Sequence, residues 1–317
     1  MTRASQAART LVAVANPWQA PDSRPVDAPS PYAPPPATDR GHSDDRSEIP
    51  APAPLRPMTV ADILDGGISV LKSAPRTVFV IAATFVIPLE LVSTWLNRDS
   101  LSDRGFAGAL SAATNSSTSD SGFTGVGVVM IILSGLVLAL VTGAVAHLMS
   151  SWYAEKPATT RDALTASLRL APALLFAWFV VHVAEALATV ALLVPLLFVM
   201  PLFMVVSPAI VIERLGPIEG ARRSWRLTRT RFSSVLGATL LVAAVDASLT
   251  IALGGLGLAF SILPSGWILD VTVQAATSLV TVPFVAGATT LMYFDLRIRS
   301  EGLDLELDIA EHFAGVR

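Results

Sequence analysis

Apolar positions fall into long runs that polar residues hardly interrupt, at about 77–97, 125–148, 171–212, 234–263 and 271–294. A helix needs about 20 apolar residues to cross a hydrocarbon layer. From Ala171 to Ile212 the only ionisable groups are His182 and Glu185. That stretch is twice too long for one crossing, so it reads as two antiparallel helices turning near Leu193 to Pro195. The pattern predicts an all-α, polytopic membrane bundle of about six transmembrane helices plus short amphipathic interfacial helices.

Between the runs the period shifts to that of an amphipathic helix. Thr59 with Asp62 three residues on reads as a helix start, and Val60, Ile63, Leu64, Ile68 and Leu71 then share one face. Such a helix is expected to lie at a membrane surface. Thr159 with Asp162, and Gly216 with Glu219, repeat the arrangement: a cap, then an acid placed favourably for the helix dipole. Each is followed by amphipathic residues and an odd-numbered span, so three units of surface helix plus two spans are expected.

Composition agrees with the pattern. The chain of 317 residues is 52% hydrophobic and 15% charged, against about 25% charged in soluble domains. The lack of cysteine excludes disulfides and thiolate chemistry. Residues 1–55, rich in proline and acids, are expected to be a disordered cytoplasmic tail, 56–306 the membrane domain and 307–317 a short cytoplasmic tail. Charge sets the orientation. Arg56, Lys72 and Arg76 precede the first span; Lys156, Arg161 and Arg169 lie between the second and third; six arginines lie between the fourth and fifth, from Glu213 to Phe232. The other connections carry little positive charge, so both termini are expected on the cytoplasmic side of a bacterial inner membrane.

Three motifs carry a resemblance. Leu55 to Gly67 (LRPMTVADILDGG), Ser207 to Phe232 (SPAIVIERLGPIEGARRSWRLTRTRF) and Tyr293 to Asp304 (YFDLRIRSEGLD) resemble an actinobacterial multi-pass family similar to the membrane domain preceding the catalytic barrel of some glycerophosphodiester phosphodiesterases. The likeness covers roughly residues 55–306. It implies a helical membrane domain and no catalysis, because that chemistry resides in the barrel, whose His-Arg and paired-acid motifs are missing.

Ionisable groups inside spans are costly and therefore candidates for function. Glu90, His182, Glu185 and Asp246 form the candidate intramembrane polar site, as a proton relay, a cation site or bundle-facing polar glue. Gly135, Ala139 and Gly143 recur every fourth residue and read as a close-packing face. On a helix from Pro217, Ile218, Ala221, Trp225 and Phe232 share a face edged by Arg222, Arg226 and Arg229; these arginines and Trp225 are the candidate lipid-headgroup contacts. Pro195, Pro201 and Pro208 are expected to bend or break the fourth span. Gly254 to Gly257 is expected to weaken the end of the fifth; lying in a span, it is no dinucleotide fingerprint. No nucleophile constellation or metal motif appears. The expected activity is that of a non-enzymatic scaffold or accessory protein, without cofactor or metal. Its partners would be anionic lipid and a protein or second copy, not nucleic acid. The alternative is a proton-coupled transporter or permease using the buried acids.

Overall fold

A computed structural model describes residues 56–96, 125–154, 156, 158–190, 196–260 and 266–302. The expected tails, the connection 97–124 and the turn near Leu193 to Pro195 lie outside the described residues. The described residues form ten helices and no strand: α1 (Val60–Ser73), α2 (Pro75–Leu96), α3 (Gly125–Tyr153), α4 (Thr160–Arg169), α5 (Ala171–Val190), α6 (Leu196–Phe203), α7 (Val206–Glu213), α8 (Pro217–Arg229), α9 (Phe232–Phe260) and α10 (Gly266–Glu301). The protein is an all-α helical bundle.

Among the described residues four helices, fewer than the six spans expected, are long and apolar enough to cross a membrane: α2, α3, α9 and α10. The bent pair α4 and α5, 59° apart, makes a fifth if counted as one span. The expected fourth span is broken into α6 and α7. Pro208 lacks an N–H, and its ring collides with the carbonyl four residues back, so a straight helix cannot run through Met204 and Val205. The break leaves carbonyls without helical partners, and one is answered from outside: Ser224 Oγ and Thr228 Oγ1 donate to the Leu202 carbonyl at 2.7 and 3.2 Å. By contrast α9 continues through Gly254 and Gly255 to Phe260.

α3 and α10 are central. In each, 61% of the most apolar window is buried, against 22% in α2 and α9. The main core gathers Val78, Ile81, Val141, Val145, Leu291 and Tyr293. A second core joins Leu140 of α3, Leu174 of α5 and Ile210 of α7.

The three short polar helices share a plan. Thr59 and Thr159 each close a capping box, the amides of Asp62 and Asp162 donating to the threonine hydroxyls at 3.2 Å. Gly216 lacks a hydroxyl and keeps only the return bond, its N–H donating to Glu219 at 3.2 Å. Eight residues after each cap stands a small buried residue, Gly67, Ser167 or Ser224. Each is pressed on the second span of the preceding unit. Ser167 Oγ donates to the Leu140 carbonyl of α3 at 2.7 Å, and Ser224 does the same to Leu202 of α6. Gly67 closes the circle on α10, where an added Cβ would come within 3.2 Å of Phe284 and 3.3 Å of Ala288. Of the expected apolar face of α1, Ile63 is buried and Val60, Leu64 and Leu71 pack against the main core; Ile68 alone departs. The face buried in protein is Ile63, Gly66, Gly67 and Val70, while Ile68 is exposed.

Candidate functional site

The cavity of greatest interest has a volume of about 340 Å³ and lies among α3, α5, α6, α7, α9 and α10. His182, Glu185 and Asp246 all line it. Glu90 does not: on α2 it accepts a hydrogen bond from Ser278 Oγ of α10 at 3.1 Å. Three of the four expected groups therefore converge and the fourth ties two helices together.

The helix geometry of α5 sets up the polar wall. His182 follows Trp178 by one turn, so its ring stacks on the indole with centroids 4.0 Å apart. Nδ1 lies 3.0 Å from the Trp178 carbonyl. A carbonyl only accepts, so Nδ1 must carry the hydrogen, and Nε2 is left facing Glu185 at 3.8 Å. Two further polar atoms in this wall, Trp178 Nε1 and Thr239 Oγ1, are buried with no hydrogen-bond partner among the described residues. Such groups cost about 1–3 kcal/mol each when left unanswered.

The expected small-residue face holds this wall in place. A Cβ on Gly135 would stand 1.9 Å from Trp178 Nε1, so only glycine admits the indole. Ala139 is buried in the second core, and a Cβ on Gly143 would meet Val211, Leu174 and Ser167 at 3.0–3.2 Å. The face packs against α4, α5 and α7.

At the other site, α8 divides its residues sharply. Gly220, Ser224, Leu227 and Thr228 are buried. Gly220 is required by contact: a Cβ there would lie 2.3 Å from Ile210 Cγ1. Arg222, Arg226 and Arg229 are exposed, and so are Ile218 at 59% and Trp225 at 45%. Large apolar and basic groups thus share the uncovered face.

Arg223 points the other way into a cluster that sequence reasoning missed. It donates to Glu213 at 2.8 Å and pairs with Glu301 through both terminal nitrogens. The Tyr293 hydroxyl donates to Glu213 at 2.6 Å, and Arg297 donates to Glu301 at 3.0 Å. The Glu301 carboxylate, then Glu213, hold the Arg223 guanidinium well above its ordinary pKa, against its partial desolvation. Beside this cluster Arg299 bonds Asp295 at 2.8 Å and the Met58 carbonyl at 2.6 Å, while the Met58 N–H donates to Asp295 at 2.7 Å. The three motif segments around Met58, Glu213 to Arg223 and Tyr293 to Glu301 meet at one end of the bundle. A spacing signal existed within α10, where Arg297 and Glu301 are four apart, as are Asp295 and Arg299. Nothing local pointed from there to Arg223.

Among the described residues no group of three or more His, Asp or Glu side chains is placed to hold a metal ion. Residues 70–296 match the family described as a domain of unknown function, DUF7847. The chain belongs to the DUF7847 family. No curated protein and no solved structure matches it. The DUF7847 match begins within α1 and ends within α10, so it takes in the cavity, α8 and, of the charged cluster, Glu213, Arg223 and Tyr293.

Proposed function

We propose that this DUF7847 domain is a non-enzymatic membrane scaffold that holds anionic lipid phosphates, and a protein partner or second copy, on the face bearing α8. The observation that carries this reading is the stripe of exposed Arg222, Arg226 and Arg229 beside exposed Trp225 and Ile218. Arginine presents a planar fork of donors to phosphate, and a tryptophan at headgroup depth has both an apolar body and an N–H. The buried seam of α8 and the Arg223 cluster hold that stripe at a fixed rotation. Its setting would be a bacterial cytoplasmic membrane with both termini inside, as the basic segments favour. The likeness to the membrane domain of glycerophosphodiester phosphodiesterases, which is not the catalytic part of those enzymes, supports a non-catalytic role for this domain.

The test is retention of phosphatidylglycerol by the purified protein, read by native mass spectrometry or by titration into nanodiscs. Each arginine near an anionic surface contributes about 1 kcal/mol, so replacing all three by Gln is expected to weaken binding about 100-fold. Unchanged binding would sink the proposal. A second reading, a proton-coupled permease, draws on the convergence of His182, Glu185 and Asp246 on one cavity. It requires that reconstituted Asp246→Asn protein lose proton-driven flux.

A further inference from the structure

We propose that the cavity binds a small monovalent organic cation with an apolar body, of the kind represented by a protonated arylalkylamine. This inference concerns occupancy of the cavity; it does not rest on α8 or on whether the occupant is carried across a membrane.

Size comes first. About 340 Å³ lies within the range of small-molecule sites and far above what a bare ion fills. The walls then choose an apolar body: Leu138, Val181, Phe203, Met204, Val242 and Val285 line the space. Polar groups enter at few points, which is how such sites fix orientation.

Those points ask for a ligand. Thr239 is only 2% exposed, and its hydroxyl, like the Trp178 N–H, has no partner among the described residues. Trp178 Nε1 is covered by Gly135 of α3; Thr239 lines the cavity, where a polar occupant would answer its hydroxyl. Charge completes the choice. His182 and Glu185 face each other as a pair at 3.8 Å. Asp246 makes no hydrogen bond or ion pair with another described residue, and no Lys or Arg lines the space. An anion would meet like charge there, and a neutral occupant would leave the carboxylate unanswered. An ammonium group supplies both the charge and the donors.

The experiment titrates full-length protein in detergent, stripped of lipid, with phenethylammonium, 2-phenylethanol and 3-phenylpropanoate. Calorimetry and tryptophan fluorescence provide the readouts. Saturable binding of phenethylammonium is expected, about 10-fold or more tighter than that of the alcohol or the carboxylate. Asp246→Asn should weaken it by a similar factor, and Thr239→Val by about 3- to 10-fold. Glu90→Gln, outside the cavity, should leave it unchanged. If Asp246→Asn does not run as a monodisperse species, Ala243→Trp, which fills the cavity wall, must abolish binding. The proposal is overturned by equal affinity for the neutral probe, by wild-type binding in the Thr239 and Asp246 variants, or by no saturable binding.

Discussion

Arg222 and Arg223 are neighbours in sequence with opposite fates. One carries an exposed guanidinium, the other a fork locked between Glu213 and Glu301 with its side chain 11% exposed. A lysine can replace a point charge but not a bidentate fork. Arg223→Lys is therefore expected to lower unfolding stability in detergent by about 2 kcal/mol, and Arg222→Lys to change it by less than about 0.5 kcal/mol. Thermal melts of the two variants decide the matter, and equal effects would remove the assigned role of Arg223. Helical spacing set Arg222 on the stripe with Arg226 and Arg229, but nothing local gave Arg223 its partners. The charge run marked where arginines cluster, but the inward choice depends on Glu301, seventy-eight positions away, and on the rotation of α8 about its axis. Glu90 escaped for the same reason. Periodicity placed it inside a span and did not say that its face of α2 turns toward Ser278 rather than the cavity.

Helices were the most legible objects, because each has its own start signal and apolar length. The capping threonines show how directly such signals work. The Thr159 hydroxyl and backbone N–H both donate to Asp162, holding its carboxyl below the usual carboxylate range; the Thr59 backbone and hydroxyl do the same for Asp62. Since the folded form has the lower pKa, this contribution is present above the ordinary value near 4 and is lost as pH falls through the folded one. Thr159→Ala is expected to cost about 1 kcal/mol of local stability, seen as faster amide exchange over the first turn of α4. The difference from wild type should shrink in acid; a difference that grows as pH falls would contradict the assigned bonds. The broken fourth span was legible as a hazard at Pro208. Its repair by Ser224 and Thr228 was not, because a serine eight residues past a cap has no visible partner until the helices are packed.

At the scale of the molecule, the apolar segments carried the helical bundle, though four or five helices rather than six are long and apolar enough to span among the described residues, and the three caps carried the three-unit plan. The circular closure of that plan was not legible, since it depends on two glycines of distant helices meeting, Gly67 and Gly287. Orientation is testable without background, as the chain contains no cysteine. With the proposed topology, Thr230→Cys should react with a membrane-impermeant maleimide only in inverted vesicles, and Ser111→Cys only in intact cells. The reverse pattern would invert the molecule and remove α8 from the inner leaflet.

The seat of α1 on α10 bears on how the chain comes to be made. Synthesis runs from the N-terminus, and Met58 finds Asp295 only across 237 positions of sequence. α1 emerges long before its berth exists. Until α10 is threaded, the glycine face of α1 and the backbone of Met58 have nowhere to dock. α10 therefore acts as the keystone of the assembly, and a ribosome that stops short of it would release a chain whose α1 is still unmoored.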